Sequence, residues 1–261
     1  MRKDRANDNP ESFTASAFYL EQLLPAEQIL YRQIAHDLGV HQPESIFSGD
    51  TDIKRLSTVA RYVTLDNPGI YWSKGDFTVF LQDGMFKVLW DDLCPSRWKK
   101  QIDEKIFRTV ENLGLNRFSS LMDKVLYLQE WFLSNVKYDQ GTDKYQQQIV
   151  QTIFPVFTEG KGVCLGIAKA AKLMLDLSGN RSVIVLGRLF QDKTYEHAWN
   201  LIWTGNRFLH ADFTVAYPVF EPLWHSCYPG REQSCLLVTR EKIACSHNIL
   251  PGMTYPDILT E

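Results

Sequence analysis

Apolar residues recur every three to four positions in five stretches of the chain, a spacing that predicts amphipathic helices. Serine, proline and glycine residues near the ends of these stretches supply start and stop signals. The predicted helices are Ala17 to Leu38, divided at Pro25 and closed by Gly39; Leu56 to Val63; a segment capped by Ser96 that runs to about Leu113 and stops at Gly114; a segment from Ser119 or Ser120 toward Val136; and a segment from Cys164 to Leu177.

Shorter apolar runs, either alternating or continuous, predict two groups of β-strands. The first group is predicted to form a small antiparallel sheet from residues 70–72, 78–81 and 86–90, separated by Gly75-Asp76 and Asp83-Gly84. The second group follows Gly179 and comprises 183–186, 197–203 and 207–212, with Gly205-Asn206 as the turn of a hairpin. A polar loop is predicted at 141–150, and the residues after Tyr217 are predicted to be loop-rich.

The change from a helical to an alternating pattern near Gly179 predicts an α+β fold, in which the helix bearing Cys164 packs on an antiparallel sheet. We expect a disordered arm at 1–16, an N-terminal α/β extension at 17–115 and a catalytic core at 116–261. The strands of the extension are too short to be stable alone, so the extension should pack on the core. The aromatic side chains expected to be largely buried there are Trp72, Phe80 and Trp90.

Composition limits the partners and the location of the protein. The net charge of −3 provides no basic field that would attract nucleic acid or anionic lipid. No apolar run approaches the roughly 18 residues of a membrane span, and the first ten residues lack the apolar segment of a secretory signal. The five cysteines show no paired spacing, which is typical of reduced thiols in the cytoplasm. Secretion stays open for a chain that has lost a leader.

Cys164 is the main candidate for chemistry. It follows Gly160 and Gly162, which allow a sharp turn, and it precedes a strongly helical run. A free thiol has a pKa of about 8.5, and the unpaired N–H groups at a helix N-terminus favour its thiolate form. The pattern therefore predicts a nucleophilic cysteine at a helix start. Lys169 and Lys172, further along the same helix, are expected to be solvated.

His197 and Asp212 are predicted to complete the site from the two strands of the hairpin. Counted outward from the Gly205-Asn206 turn, a modest offset brings them nearly opposite each other, within reach of a hydrogen bond. His197 could then act as general base and acid, and Asp212 would fix the orientation of its ring. Each residue alone is more often structural: a buried thiol, a core histidine or a capping aspartate. Their joint arrangement favours a thiol site.

Three motifs of the chain closely resemble the transglutaminase-like domain, a relative of papain-like thiol enzymes. They are Gly162-Val163-Cys164-x-Gly166-x-Ala168, His197-Ala198-Trp199-Asn200 and His210-x-Asp212-x-Thr214. The resemblance extends over about 17–220. It implies a papain-like α+β core with Cys164 as nucleophile, His197 as base and Asp212 as its orienting partner.

The resemblance also suggests two supporting residues and shows two departures. Tyr138 is a candidate oxyanion donor because of its place in the segment before the nucleophile, and Trp199 is expected to pack beside His197. Val215 follows Thr214 where the family usually has tryptophan, and Thr158 stands where papain-type enzymes place a glutamine. The oxyanion hole should then use the Cys164 backbone N–H and another donor.

The leading interpretation is thiol-dependent acyl transfer on an amide of a protein or peptide through a cysteine thioester. Water as acceptor would make the protein a protease or amidase, which is the chemical default, and an amine acceptor would make it a transglutaminase. A non-catalytic peptide-binding module of the same fold is the alternative. A redox thiol is disfavoured because Cys164 lacks a nearby resolving cysteine. No cofactor or metal is predicted, since irregular spacing argues against a zinc site at Cys227, Cys235, Cys245 and His247.

Overall fold

Pro25 divides the first helical segment, as the sequence predicts. The computed structural model describes residues 17–189, 195–227, 234–250 and 255, so the arm predicted at 1–16 lies outside the described residues. Helix α1 spans Phe18–Glu21 and helix α2 spans Pro25–Gly39. Proline fits at the first position of α2 because the N–H it lacks would have no partner within the helix. Gly39 is not a left-handed cap; the left-handed backbone occurs two residues later, at His41 (φ 57°).

A small antiparallel sheet follows, as predicted, but one of its strands was assigned wrongly. The elements here are β1 (Glu44–Ser48), α3 (Ile53–Asp66), β2 (Phe77–Gln82) and β3 (Met85–Trp90), and the sheet order is β1–β3–β2. The run 70–72 is buried but irregular, with the Trp72 indole N–H donating to the Leu38 carbonyl at 2.9 Å. That run is apolar because it packs between helices.

Two of the three aromatic side chains expected to be buried in this region are buried. Trp72 and Trp90 lie in the core, but Phe80 is 51% exposed. Phe80 and Lys87 are opposite each other in the β2–β3 ladder and therefore share the outer face of the sheet. The prediction for Phe80 was wrong because the alternation of β2 places it on the solvent side.

Two longer helices connect the sheet to the rest of the chain: α4 (Lys99–Leu113) and α5 (Leu121–Asn135). Gly114 ends α4 in the left-handed conformation (φ 56°), and the Ser120 hydroxyl caps α5 by accepting the Asp123 N–H. Ser96 does not cap α4 with its side chain, because it lies in a preceding 3₁₀ turn, Ser96–Trp98.

Residues 141–150, predicted as loop, contain a helix. The elements in this part of the chain are β4 (Lys137–Tyr138), α6 (Lys144–Ile149), α7 (Ile153–Thr158) and β5 (Lys161–Gly162). The Asp143 carboxylate caps α6 by accepting the Gln146 N–H at 2.9 Å. Strands β4 and β5 pair in parallel and bring Tyr138 level with Gly162, two residues before Cys164.

The last part of the chain contains helix α8 (Cys164–Leu177) and a five-stranded antiparallel sheet. The remaining elements are β6 (Ser182–Leu189), β7 (Tyr195–Trp203), β8 (Phe208–Asp212), α9 (Glu221–Cys227), β9 (Cys235–Val238), α10 (Arg240–Ile243) and β10 (His247–Ile249), and the sheet order is β10–β6–β7–β8–β9. The prediction that the residues after Tyr217 are loop-rich therefore missed the short helices and strands of this segment. The sheet curves, since Cys235 Sγ on one edge lies 4.0 Å from Ser246 Oγ beside the other edge.

Helix α8 is buried on every side from Gly166 to Leu175. It packs on β6 and β7 and against α7, so no face of it is left for solvent. Lys169 and Lys172 are each 1% exposed, which corrects the expectation that they are solvated. Lys172 donates hydrogen bonds to the Asp176 carboxylate at 2.7 Å and to the Ser182 carbonyl at 2.8 Å.

The fold is α+β, and the predicted packing of the Cys164 helix on an antiparallel sheet is confirmed. One apolar cluster contains residues from both parts of the predicted division, from Leu23 to Ile243. The boundary between an extension and a core near residue 115 stays a prediction. None of the described helices is both long and apolar enough to cross a membrane.

Candidate active site

Cys164 is the first residue of α8, and close backbone contacts fix the start of this helix. Val163 precedes it in extended conformation, and its N–H donates to the Val150 carbonyl at 3.2 Å. A Cβ atom built on Gly166 would lie 2.3 Å from the Val150 carbonyl oxygen and 3.0 Å from that of Thr152. Only glycine allows this approach, so the glycine two residues after Cys164 determines how closely α8 lies to the segment before it.

The Cys164 thiol is only partly exposed, and its surroundings favour the thiolate. Burial raises the pKa of the thiol, but hydrogen bonds and charge from His197, together with donors from the Ala198 backbone and Tyr138, lower it below its ordinary value overall. A nucleophile of this kind needs both access and a lowered pKa. Cys164 has both.

His197 lies on β7 and reaches Asp212 at the end of β8. The distance from His197 Nε2 to Asp212 Oδ2 is 2.7 Å. In the β7–β8 register Asn200 faces Ala211, so His197 and Asp212 are diagonal neighbours on one face of the sheet. The modest offset expected from the sequence is thus present. Because Nε2 is bonded to Asp212, His197 Nδ1 is the nitrogen available to the thiol.

The carboxylate of Asp212 is fully buried, and donors surround it. Oδ1 accepts the Thr214 N–H and hydroxyl, both at 2.7 Å, and the Val215 N–H at 3.3 Å. Burial would raise the pKa of Asp212, but the charge and hydrogen bond of His197, with a further donor from His247, hold it well below its ordinary value. Asp212 is therefore ionised and fixed in position.

Ionised Asp212 in turn favours the charged form of His197. Burial alone would lower the pKa of His197, yet the Asp212 carboxylate and the Cys164 sulfur raise it well above its usual value. The pKa of the Cys164 thiol is lowered and that of the His197 imidazole is raised. Together the two shifts favour a thiolate–imidazolium pair near neutral pH.

Tyr138 and Trp199 both lie beside this pair. Tyr138 forms a hydrogen bond with the Cys164 thiol, and burial raises the pKa of its phenol, so it stays a neutral donor. Its ring packs edge-on against Phe220, which also contacts the His197 ring. Trp199 stacks near His197, with ring centroids 6.1 Å apart. The structure brings together all five residues that the sequence predicted for the site.

Residues 112–213 match the family model described as the transglutaminase-like superfamily. The chain contains a transglutaminase-like domain. This domain includes Cys164, His197 and Asp212, and it ends one residue after Asp212. No curated protein matches the chain.

Solved structures similar to the chain cover only part of it. They include a TGase (15% identity, TM-score 0.41, 54% of this chain and 44% of that one). A proposed cysteine protease from Cytophaga hutchinsonii gives 18% identity, a TM-score of 0.36, 55% of this chain and 63% of that one. A proposed protease from Parabacteroides distasonis gives 12%, 0.31, 52% and 35%. The chain thus spans less than two thirds of the length of each.

A cavity of about 470 Å³ adjoins the transglutaminase-like site. Tyr138 forms part of its wall, together with Tyr217 and the end of α5. Apolar and polar groups share the lining, which consists of Leu133, Ser134, Asn135, Val136, Lys137, Tyr138, Gly160, Tyr217, Pro218 and Val219. The cavity therefore lies on the side of the thiol that Tyr138 borders.

The sequence interpretation missed one residue of the site. His247, on β10, points its Nε2 at Asp212 Oδ2, 2.9 Å away. In the sequence it stands out only beside Cys227, Cys235 and Cys245, whose irregular spacing argues against a zinc site. No sequence signal could have found its contact with Asp212, because the two residues are 35 positions apart and meet only when the sheet curves.

One group of side chains among the described residues has donor atoms close enough together to hold a metal ion: His197, Asp212 and His247. Both nitrogens lie at hydrogen-bond distances from the same oxygen, 2.7 and 2.9 Å. Nitrogen and oxygen ligands of a zinc ion lie about 2.0–2.2 Å from the metal and so are usually further apart from each other. Shared hydrogen bonds explain this arrangement.

Proposed function

We propose that the protein is a thiol-dependent acyl-transfer enzyme that acts on amide groups of a protein or peptide. The observation that carries the proposal is the continuous line from Cys164, at a helix N-terminus, through His197 to ionised Asp212. The match of residues 112–213 to the transglutaminase-like superfamily supports it.

In the first half of the reaction, the Cys164 thiolate attacks the carbonyl carbon of the amide. The C–N bond breaks, and the imidazolium of His197 gives its Nδ1 proton to the leaving ammonia or amine. A thioester on Cys164 remains. Asp212 stabilises the imidazolium through the 2.7 Å hydrogen bond and keeps its ring in place.

In the second half, neutral His197 accepts a proton from the acyl acceptor as that acceptor attacks the thioester. Water yields an acid, and an amine yields a new amide; in both cases the Cys164 thiolate and the His197 imidazolium are regenerated. The Cys164 backbone N–H and the Tyr138 hydroxyl are the groups we assign to the negative oxygen of the tetrahedral intermediates. Partial exposure of Cys164 leaves it accessible to a peptide.

The proposal is tested by incubating the protein with glutamine-containing peptides, with and without a fluorescent primary amine. Mass spectrometry distinguishes an acid product (+1 Da) from an amine adduct and detects the thioester on Cys164. The variant Cys164→Ala should lose at least about a thousandfold in rate, because nucleophile and base act as a unit. It should keep its fold, since only one sulfur atom is removed.

Cys227→Ala is the matched control, because Cys227 is an exposed thiol at the end of α9 and is not one of the residues assigned to the site. It should react like the unaltered protein. Wild-type rates in Cys164→Ala would overturn the proposal. Binding of peptides without any product or thioester would favour the non-catalytic peptide-binding module.

A further inference from the structure

His247 belongs to the C-terminal part of the chain, which the family match does not cover. Its ring contacts the Asp212 carboxylate. It is 2% exposed, and its strand β10 pairs with β6 at one edge of the sheet, with His247 opposite Leu189. Its ring centroid is 5.6 Å from that of His197 and 4.8 Å from that of Trp199. A second imidazole is thus buried beside the proposed catalytic pair.

We propose that His247 is a positioning residue that holds Asp212 in place for His197, with Ser246 fixing the tautomer of its ring. This inference rests on the function proposed above and adds two residues to the five that the sequence predicted for the site. His247 does not reach the sulfur or a substrate; it acts through Asp212.

The hydrogen bonds around His247 determine the direction of each donor. Ionised Asp212 can only accept, so His247 Nε2 carries a proton and donates to Oδ2 at 2.9 Å. In a neutral ring Nδ1 is then an acceptor, and the Ser246 hydroxyl, 2.7 Å away, donates to it. Burial lowers the pKa of His247 and keeps it neutral, although Asp212 opposes this shift. Hydrogen bonds thus connect Ser246 to His247, His247 to Asp212 and Asp212 to His197 without a break.

Sharing one oxygen between two imidazoles restrains the carboxylate. Oδ1 is held by Thr214 and Val215, and Oδ2 is held by His197 and His247. During turnover His197 alternates between charged and neutral forms, so its bond to Oδ2 strengthens and weakens. His247 stays neutral and keeps Oδ2 in place throughout.

Without the His247 ring, the buried Oδ2 of Asp212 would keep only its hydrogen bond to His197 and would face the space that the ring had filled. Asp212 could then turn away from the position that aligns His197 Nδ1 with Cys164. Hydrogen bonds to charged groups contribute about 1.5–3 kcal/mol, which corresponds to roughly 10- to 150-fold in rate when the contact matters for turnover.

Three variants separate positioning from packing. His247→Leu removes the donor, and His247→Gln keeps an N–H at the place of Nε2. His225→Leu is the control, because it makes the same His-to-Leu substitution at an exposed histidine of α9. The readouts are kcat and KM with a glutamine peptide, melting temperature, and the downfield NMR signal of the His197 Nε2 proton, assigned by its loss in His197→Ala.

We expect His247→Leu to lower kcat about 10- to 100-fold with little change in KM, because His247 is buried and meets no substrate. His247→Gln should recover kcat to within about fivefold and keep the His197 proton signal close to its original position, while His225→Leu behaves like wild type. Equal kcat and equal proton shifts in the Leu and Gln variants would overturn the proposal.

Ser246→Ala decides the matter if His247→Leu does not fold. It removes only a hydroxyl. It should lower kcat about 2- to 10-fold, because the His247 ring is then no longer held in the tautomer with the proton on Nε2. Unchanged kcat and an unchanged His197 signal in Ser246→Ala would contradict the proposal that Ser246 and His247 hold Asp212 in place. If the wild-type protein turns over no amide, the proposed function fails, and the NMR signal still shows whether His247 holds Asp212 and, through it, His197.

Discussion

Lys169 and Lys172 lie three residues apart on the helix that begins at Cys164, and both are almost completely buried. They differ in their neighbours. Lys172 is paired with the Asp176 carboxylate and the Ser182 carbonyl. Burial, together with the nearby positive charges of Lys74 and Arg61, lowers the pKa of Lys169 to about 7, and the Asp76 carboxylate opposes this shift only in part. The buried charge of Lys172 is thus compensated by its partners, whereas the buried charge of Lys169 lowers the stability of the fold.

The variant Lys169→Met should stabilise the protein by about 1–4 kcal/mol at pH 6, the range seen when buried charges are replaced by apolar groups of similar size. In the unfolded chain lysine has a pKa of about 10.4. Between pH 7 and 10 the unfolded state therefore binds more protons than the folded state, and the wild-type protein gains stability as pH rises. The advantage of Lys169→Met should shrink over that range in urea denaturation.

Lys172→Met provides the contrast on the same helix. It leaves the largely buried network of Asp176 and Ser182 without its cation, so it should destabilise the fold by about 3–5 kcal/mol at pH 6. Equal effects of the two substitutions would show that neither burial nor pairing has been assigned correctly.

At this scale, the sequence predicted residues that belong to local motifs and failed where burial depends on distant segments. Cys164, His197 and Asp212 stand next to recognisable turns and strands, and their proximity followed from the hairpin. The two lysines were expected to face solvent because lysine usually does. The helix is covered on all sides, and no local spacing reveals that. His247 was missed for the same reason.

At the scale of elements, Gly166 sets the distance between α8 and the segment that carries Val150 and Thr152. Gly166→Ala would place a Cβ 2.3 Å from the Val150 carbonyl oxygen, so α8 would have to move. We expect a loss of about 1–3 kcal/mol in stability. Since Cys164 is two residues away, amide turnover should fall by about 100-fold, the effect of a misplacement near 1 Å.

Gly39→Ala is the control, because Gly39 also lies in a helix but has no atom within 4 Å of the position of a Cβ. This substitution should raise stability by about 0.5–1 kcal/mol and leave turnover unchanged. Thermal unfolding and the peptide assay measure both effects. A Gly166→Ala protein as stable and active as wild type would show that the close approach to Val150 is not needed.

Elements with caps and a helical period were predicted well, and elements without these signals were not. Strand β1 was missed because its buried side chains include Ser45 while Ile46 faces solvent, so hydrophobicity does not follow the alternation. Helix α6 was missed because Lys144–Ile149 is mostly polar and depends on the Asp143 cap. The strand predicted at 70–72 failed because aromatic residues there pack irregularly between helices.

At the scale of the whole molecule, the site depends on segments that are far apart in sequence. Helix α8 supplies the thiol, the β7–β8 hairpin supplies the imidazole and the carboxylate, and β10 supplies His247. The curvature of the five-stranded sheet brings its two edges close enough for this. The sequence predicted the helix and the hairpin, but it could not predict the curvature, which arises from pairing between distant strands.

The lowered thiol pKa is the most direct test of the central claim, and it is measured as the rate of Cys164 alkylation by iodoacetamide against pH. Exposed Cys227 and Cys245 are first changed to Ser. Burial raises the pKa of Cys94 to about 11 and that of Cys235 to about 12, so these two thiols react slowly.

Because only the thiolate reacts, a lowered pKa should keep alkylation of Cys164 fast at about pH 6, well below the usual thiol pKa of about 8.5. In His197→Ala the hydrogen bond and the positive charge are lost while burial remains, so the midpoint should move to the ordinary value or above it. A wild-type midpoint at or above about 8.5, or the same midpoint in both proteins, would contradict the assignment of Cys164 and His197 as a catalytic pair.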